Sequence, residues 1–204
     1  MGFTWENSRA AFADATGWFV RTAALVGDRW DRRGLGEWDV RALVGHTSRA
    51  LITVETYLAR PASSVAVTSA AGYFQATRAT ATGAAVASRG RDAGTALGTD
   101  PAATVAQIAA RVVALTSGCG GTELVTTIAG GMRLEDYLPT RTFELAVHTA
   151  DLAMVLGVPP EVPGTAAAQA LAIVADLAIA DGLAGPLLLT ATGRPVPPVG
   201  FSVL

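Results

Sequence analysis

The sequence predicts a mainly α-helical bundle with a short β-hairpin near residues 122–135 and a short C-terminal extension. Apolar residues recur at spacings of three and four in several long segments, a pattern typical of helices that bury one face. Helix boundaries carry suitable residues, such as Asp100-Pro101, where an N-cap acceptor precedes a proline at the first helical position. Residues 124–134 instead show two short apolar runs around a glycine pair, which indicates a hairpin.

Composition indicates one folded domain over residues 1–184, with residues 185–204 as an extension too short to fold separately. Half of the 204 residues are hydrophobic and 16% are charged, which is unlike a disordered chain. The net charge of −2 offers no positive field for nucleic acid or an anionic membrane, so we expect neither partner. We expect a cytoplasmic protein, because neither a signal peptide pattern nor a spanning apolar segment is evident. We expect it to be a monomer or a homodimer. The single Cys119 cannot form an internal disulfide.

The first half of the chain predicts two long helices and a weaker one. Helix 1 covers residues 5–26, where Phe12 and Phe19 belong to one apolar stripe. Helix 2 begins at Trp38 or Asp39, with Asp39 as a suitable N-cap, and ends at Leu58. Residues 69–88 predict a weaker helix, and the glycine-containing residues 89–99 predict a loop.

The second half predicts a helix, the hairpin and two further helices. The helix that begins at Asp100-Pro101 continues to Gly118. Strands at 124–128 and 132–134 flank a turn at Gly130-Gly131, and Pro139 predicts the start of a helix that ends at Leu156. Residues 165–180 predict a last helix, and 185–204 are expected to add a strand or wrap the bundle.

The chain has two histidines, and one of them lies four residues after a glutamate on a predicted helix. Glu144 and His148 are therefore one turn apart on the same face. With the distant His46 they could supply the three ligands of an open zinc site. The alternative is that an E-x-x-x-H pair arises by chance and that each histidine is an ordinary polar residue, which spacing alone favours.

Two motifs resemble a known family. The stretch from Trp38 to His46, WDVRALVGH, resembles the W-x-V-x-x-L-x-x-H motif of the DinB-like superfamily. The pattern R-x-x-E-x-x-x-H-x-x-D-L, from Arg141 to Leu152, resembles the second motif of its mycothiol-dependent maleylpyruvate isomerase branch. The ending at residues 192–204 is also similar to tails in that branch.

The resemblance implies a DinB-type four-helix bundle, with additional helices, that holds a divalent metal, usually zinc. It carries metal ligation onto His46, Glu144 and His148, and glutamate at position 144 favours the isomerase branch. It also implies mycothiol, a low-molecular-weight thiol, as cosubstrate. Asp151, three residues after His148, could orient that imidazole, although a solvated surface acid is an equal alternative.

The function expected from this resemblance is a mycothiol-dependent S-transferase or isomerase. A metal stabilises the thiolate of a bound thiol, which could then add to a small electrophile and stay, or add, allow cis–trans rotation and leave. Maleylpyruvate isomerase has a further C-terminal domain that these 204 residues do not include, so we expect transfer or another isomerisation substrate. The alternative is a non-catalytic helical protein or sensor that binds a small molecule.

Candidate residues for binding the substrate are three arginines and a tryptophan. Arg141, one turn before Glu144, is with Asp151 a candidate catalytic residue. Arg49 and Arg78 could each hold a carboxylate in a bidentate contact, and Trp38 could line the pocket mouth. The alternatives are solvated arginines in a lysine-free protein and a tryptophan that packs in the core.

Overall fold

The computed structural model describes residues 3–80, 84–194 and 201–204. Its helices and its one hairpin follow in chain order: α1 (Trp5–Ala24), α2 (Val40–Leu58), α3 (Ala70–Thr77), a 3-10 turn (Arg78–Thr80), α4 (Ala84–Ala96), α5 (Pro101–Ser117), β1 (Leu124–Thr127), β2 (Gly130–Arg133), α6 (Leu134–Leu156), α7 (Gly164–Ala180) and α8 (Ala184–Ala191). The prediction of a mainly α-helical fold is confirmed.

Helices α1, α2, α5 and α6 pack around one shared apolar core. Fully buried residues at helical spacing supply it, which is the stripe that the sequence predicts. They include Phe12 and Phe19 of α1, Leu43 and Leu51 of α2, Val105 and Val112 of α5, and Leu138, Leu145 and Leu152 of α6. Helix α4 covers α2, and α7 packs on α1 and α6. Among the described residues, no helix combines the length and apolarity that crossing a bilayer requires.

Capping residues begin several of these helices where the sequence predicts. The Asp39 side chain accepts a hydrogen bond from the backbone of Ala42 at 2.7 Å, at the start of α2. Asp100 accepts from the backbone of Ala103 at 3.1 Å, ahead of Pro101. Helix α1 begins after Thr4, whose hydroxyl accepts from Asn7.

The predicted loop at 89–99 is wrong, because helix α4 extends through most of it. Its glycines permit close backbone packing rather than a turn. A Cβ atom on Gly94 would lie 2.7 Å from the carbonyl oxygen of Arg41, and one on Gly45 would lie 2.1 Å from the nitrogen of Gly94. Helices α2 and α4 therefore touch backbone to backbone, a contact that local composition cannot reveal. The single helix expected at 69–88 is also wrong, because α3 ends at Thr77 and a 3-10 turn follows it. Residues 81–83 of that prediction lie outside the described residues.

The predicted start of α6 at Pro139 is also wrong, since the helix begins five residues earlier, at Leu134. The backbone amide of Leu134 donates to the carbonyl of Glu123, and that of Glu135 donates to Gly121, both at 2.8 Å. These loop carbonyls satisfy first-turn amides that a helix leaves free, so α6 follows β2 without a break.

The predicted hairpin forms, but its turn lies earlier than expected. β1 pairs antiparallel with β2, with Leu124 opposite Arg133 and Thr127 opposite Gly130. Gly130 and Gly131 are thus strand residues. A Cβ on Gly131 would lie 1.9 Å from the carbonyl oxygen of Ser64, so this glycine admits the neighbouring loop.

Within the described residues the expected C-terminal strand does not form, since 184–191 are helix α8 and 201–204 have no regular structure, while residues 195–200 lie outside the described residues. Residues 201–204 pack against the bundle, in agreement with the alternative expectation that this segment wraps it. Val203 is 9% exposed and packs with Phe143, Ile173 and Leu177 in a second apolar cluster beside α6 and α7.

Candidate metal centre

Three side chains from α2 and α6 converge in the wall of a cavity. One ligand atom each from His46, Glu144 and His148 lies within 4.8 Å of the other two. The imidazole rings of His46 and His148 are 4.8 Å apart and nearly perpendicular, at 87°. Two nitrogens and one carboxylate oxygen are the donor types that zinc accepts in sites with an open position. The cluster could therefore hold a metal ion.

His148 is oriented by carboxylates on its own helix. Its Nε2 lies 3.3 Å from Glu144 Oε2, and its Nδ1 lies 3.0 Å from Asp151 Oδ2. The spacings of four and three residues bring both acids onto the histidine's face of α6. Asp151 thus occupies the position from which an outer carboxylate orients a ligating imidazole.

His46 is oriented by aromatic packing instead. The indole of Trp38 lies 4.5 Å from its ring, centroid to centroid, tilted by 32°. Among the described residues, the buried Nδ1 of His46 has no hydrogen-bond partner. Such an unpaired buried nitrogen costs free energy, about 1–3 kcal/mol, and leaves the ring to be held by packing. The donor set of two imidazoles and one carboxylate fits a zinc ion.

Opposing effects set the protonation of the three groups in the metal-free protein. Burial, reinforced by neighbouring His148, lowers the pKa of His46 to about 4. Burial disfavours the charged forms of Glu144 and His148 as well. The hydrogen bond from His148 and the charge of Arg141 outweigh burial and hold the pKa of Glu144 at about 2. Hydrogen bonds to Asp151 and Glu144 outweigh it at His148 and raise its pKa to about 9.

The cluster opens onto a cavity of about 820 Å³, which is large enough for small organic ligands. Aromatic side chains and arginines form much of its wall. The aromatic ones are Trp38, Tyr57, Tyr73, Phe74 and Phe143, and the arginines are Arg49, Arg78, Arg89 and Arg141. Glu144 is the one acidic residue among the described lining residues, so the wall carries an excess of positive charge.

Arg141 lies deepest of the predicted arginines, with an exposed fraction of 7%. Its guanidinium carbon is 5.2 Å from the ring centre of Tyr73 and 5.0 Å from that of Tyr137. Its Nε donates to the hydroxyl of Thr140 at 2.9 Å. No carboxylate of the described residues forms an ion pair with it. A buried, permanently charged group thus borders the cavity with aromatic faces as its support.

The other predicted residues also border the cavity but differ in their engagement. Trp38 is 9% exposed and serves both the cavity wall and the core. Arg49 is half-buried one turn after His46. Arg78 is already paired, since its Nη2 lies 2.5 Å from Asp181 Oδ2 and 3.3 Å from the carbonyl oxygen of Val203. Arg78 therefore fixes the C-terminal segment against the bundle.

Two residues that pack against cavity-lining side chains were missed by the sequence analysis, Tyr137 beside Arg141 and Gly90 beside Trp38. Tyr137 lies four residues before Arg141 on α6, and that spacing could have revealed it had the helix been started at Leu134. Its hydroxyl donates to Thr53 at 3.0 Å. Gly90 packs against Trp38. Its spacing of four from Gly94, which would place both glycines on one face of a helix, is the sequence signal that could have indicated this packing.

Comparison with known families agrees with the fold. The family described as mycothiol maleylpyruvate isomerase N-terminal domain matches residues 10–153, which is more than half of the chain and includes both motifs. The chain therefore belongs to this family, within the DinB-like superfamily. No curated protein and no solved structure matches it significantly.

Proposed function

We propose that the protein is a metal-dependent enzyme that uses a low-molecular-weight thiol, mycothiol, as cosubstrate. The reaction would be S-transfer to a small electrophile or thiol-assisted cis–trans isomerisation. The observation that carries this proposal is the convergence of His46, Glu144 and His148 at the wall of a large cavity. Membership of a mycothiol-linked family supports the choice of thiol.

The metal is most consistent with zinc, held by His46, Glu144 and His148. When bound, such an ion lowers the pKa of a thiol, which is otherwise about 8.5, and so supplies a thiolate at neutral pH. Among the described residues, no cysteine thiol lines the cavity, because the single Cys119 follows α5 and is not part of the wall. An external thiol is therefore required.

The chain's own residues would hold and orient the reactants. Asp151 fixes the ring of His148 through its Nδ1. Arg141, with no carboxylate partner among the described residues, is suited to bind a carboxylate of the electrophile, and Arg49 could assist. Aromatic residues such as Tyr73 and Phe74 would exclude water from the reacting carbon.

The experiment is incubation of zinc-loaded protein with mycothiol and a panel of electrophiles, read by mass spectrometry. Conjugates would indicate transfer, and geometric isomers of unchanged mass, separated by chromatography, would indicate isomerisation. The double variant His46→Ala/His148→Ala is the matched control and should lose both products. Saturable binding of mycothiol with no turnover of any electrophile would instead favour a non-catalytic binding protein or sensor.

A further inference from the structure

The indole of Trp38 is clamped between helix α4 and the imidazole of His46. Its Nε1 donates to the carbonyl oxygen of Ala87 at 3.0 Å. On the same turn of α4, a Cβ atom on Gly90 would lie 2.6 Å from Cε2 and Nε1 of the indole. On its other side the indole packs against the imidazole of His46, with the two ring centres 4.5 Å apart. The indole thus has little freedom to move.

Helices α2 and α4 touch backbone to backbone close to His46. Gly45 precedes His46 in α2 and meets Gly94 of α4, one turn after Gly90, at a distance that admits no side chain. This contact seats α4 against α2 beside His46, and moving α4 away would open a gap between the two backbones, which close packing disfavours. We therefore expect an added Cβ at Gly90 to displace the indole.

His46 depends on this packing more than His148 does. The Nδ1 of His46 lacks a hydrogen-bond partner within the described ranges, whereas His148 has Asp151 on its Nδ1. The ring of His46 therefore takes its orientation from the indole and from the facing imidazole. Ring orientation decides whether a lone pair faces the shared ion.

We propose that Trp38, held by Ala87 and Gly90 of α4, is a positioning residue that aims the His46 imidazole at the metal. This inference rests on the proposed function, because it takes the metal to be bound by His46. It assigns α4, outside the four core helices, a direct effect on metal affinity.

The test compares three variants by titration with zinc and with cobalt(II), whose visible spectrum reports ligand geometry. Gly90→Ala should displace the indole and weaken zinc binding about 10- to 100-fold, the range seen when support of a ligand is lost. Trp38→Phe retains a ring but loses the bond to Ala87, and should give a smaller loss with a shifted cobalt spectrum. Gly185→Ala, where an added Cβ meets no atom within 4 Å, is the matched control and should match wild type.

Two further measurements separate positioning from folding and from the proposed function. Urea unfolding of the metal-free variants measures any loss of folding stability, which a purely structural role of Trp38 would cause. Wild-type zinc affinity and cobalt spectra in both Gly90→Ala and Trp38→Phe would overturn the inference. Imidazole NMR signals of the metal-free protein should shift more for His46, whose ring centre is 4.5 Å from that of the indole, than for His148, at 6.5 Å. If wild type binds no metal yet the His46 signals shift, the contact is supported and the metal function fails.

Discussion

The two histidines of the candidate centre have the same proposed task but opposite surroundings. His148 lies between two carboxylates of its own helix, which raise its pKa to about 9. His46 lies between an indole and another imidazole, and burial lowers its pKa to about 4. The first is supported by nearby residues in the sequence, and the second by packing between distant helices. One site can therefore combine a histidine held by charged neighbours, His148, with one held by packing, His46.

Removing either imidazole should have the largest effect. His46→Ala and His148→Ala each leave two donors, too few to retain zinc against dilution. We expect the metal content measured by mass spectrometry to fall from about one ion per chain to near zero in both variants. Full metal content in either variant would show that the substituted histidine is not a metal ligand, and the two histidines would then not share one task.

The pH dependence of zinc affinity should reveal the proton on His148. Below its pKa of about 9, the metal-free ring is protonated, so binding must release one proton. Apparent affinity should therefore rise about tenfold per pH unit from neutral pH towards pH 9 and then level off. His46, with its pKa of about 4, adds no competition in this range. A flat affinity profile in competition titrations from pH 6.5 to 9 would contradict this assignment.

Removal of Asp151 should separate the two kinds of support. Asp151→Ala deletes the carboxylate on Nδ1 of His148 and should weaken zinc binding about 10- to 100-fold. Asp151→Asn retains an acceptor oxygen without charge and should lie between this variant and wild type. Asp136→Ala, more than three turns before His148 on the same helix, is the matched control. Equal affinities of Asp151→Ala and Asp136→Ala would make Asp151 a surface acid.

Substitution of Arg141 should affect the electrophile rather than the metal. Arg141→Lys keeps the charge but loses the planar fork, so KM for a carboxylate-bearing electrophile should rise about tenfold, an effect of about 1.4 kcal/mol. An uncharged amide analogue of that electrophile should show little change. Arg111→Lys, at the exposed pair with Glu55, is the control. Equal increases for charged and uncharged electrophiles would assign Arg141 to structure alone.

The smallest effect is expected at Tyr137. Tyr137→Phe removes one hydrogen bond to Thr53, whose own hydroxyl still donates to the carbonyl of Arg49 at 2.8 Å. The free energy of unfolding should fall by about 1 kcal/mol, measured by urea denaturation. Zinc affinity should stay at the wild-type value, because the ring beside Arg141 is retained. A weakened zinc affinity would extend the candidate centre to this tyrosine.

The sequence was most informative where the structure depends on local pattern. Periodicity defined the core helices, and caps such as Asp39 and Asp100 defined their starts. With two histidines in the chain, the motifs pointed to the three residues that the structure brings together. Glu144, His148 and Asp151 share one helical face, which spacing alone specifies.

The features that sequence did not reveal depend on contacts between distant segments. Gly90 and Gly94 resemble loop residues until Trp38 and α2 are known to pack against them. The early start of α6 depends on carbonyls at Gly121 and Glu123 that reach its first turn. The aromatic support of Arg141 combines Tyr73 of α3 with Tyr137 of α6. None of these follows from local propensity.

The most direct measurement of the central claim is X-ray absorption spectroscopy of the zinc-reconstituted protein, combined with metal analysis. We predict one zinc per chain, with two imidazoles and one carboxylate in its shell, and a new zinc–sulfur distance of about 2.3 Å when mycothiol is added. A zinc shell without imidazole scattering, or one that mycothiol leaves unchanged, would contradict the account.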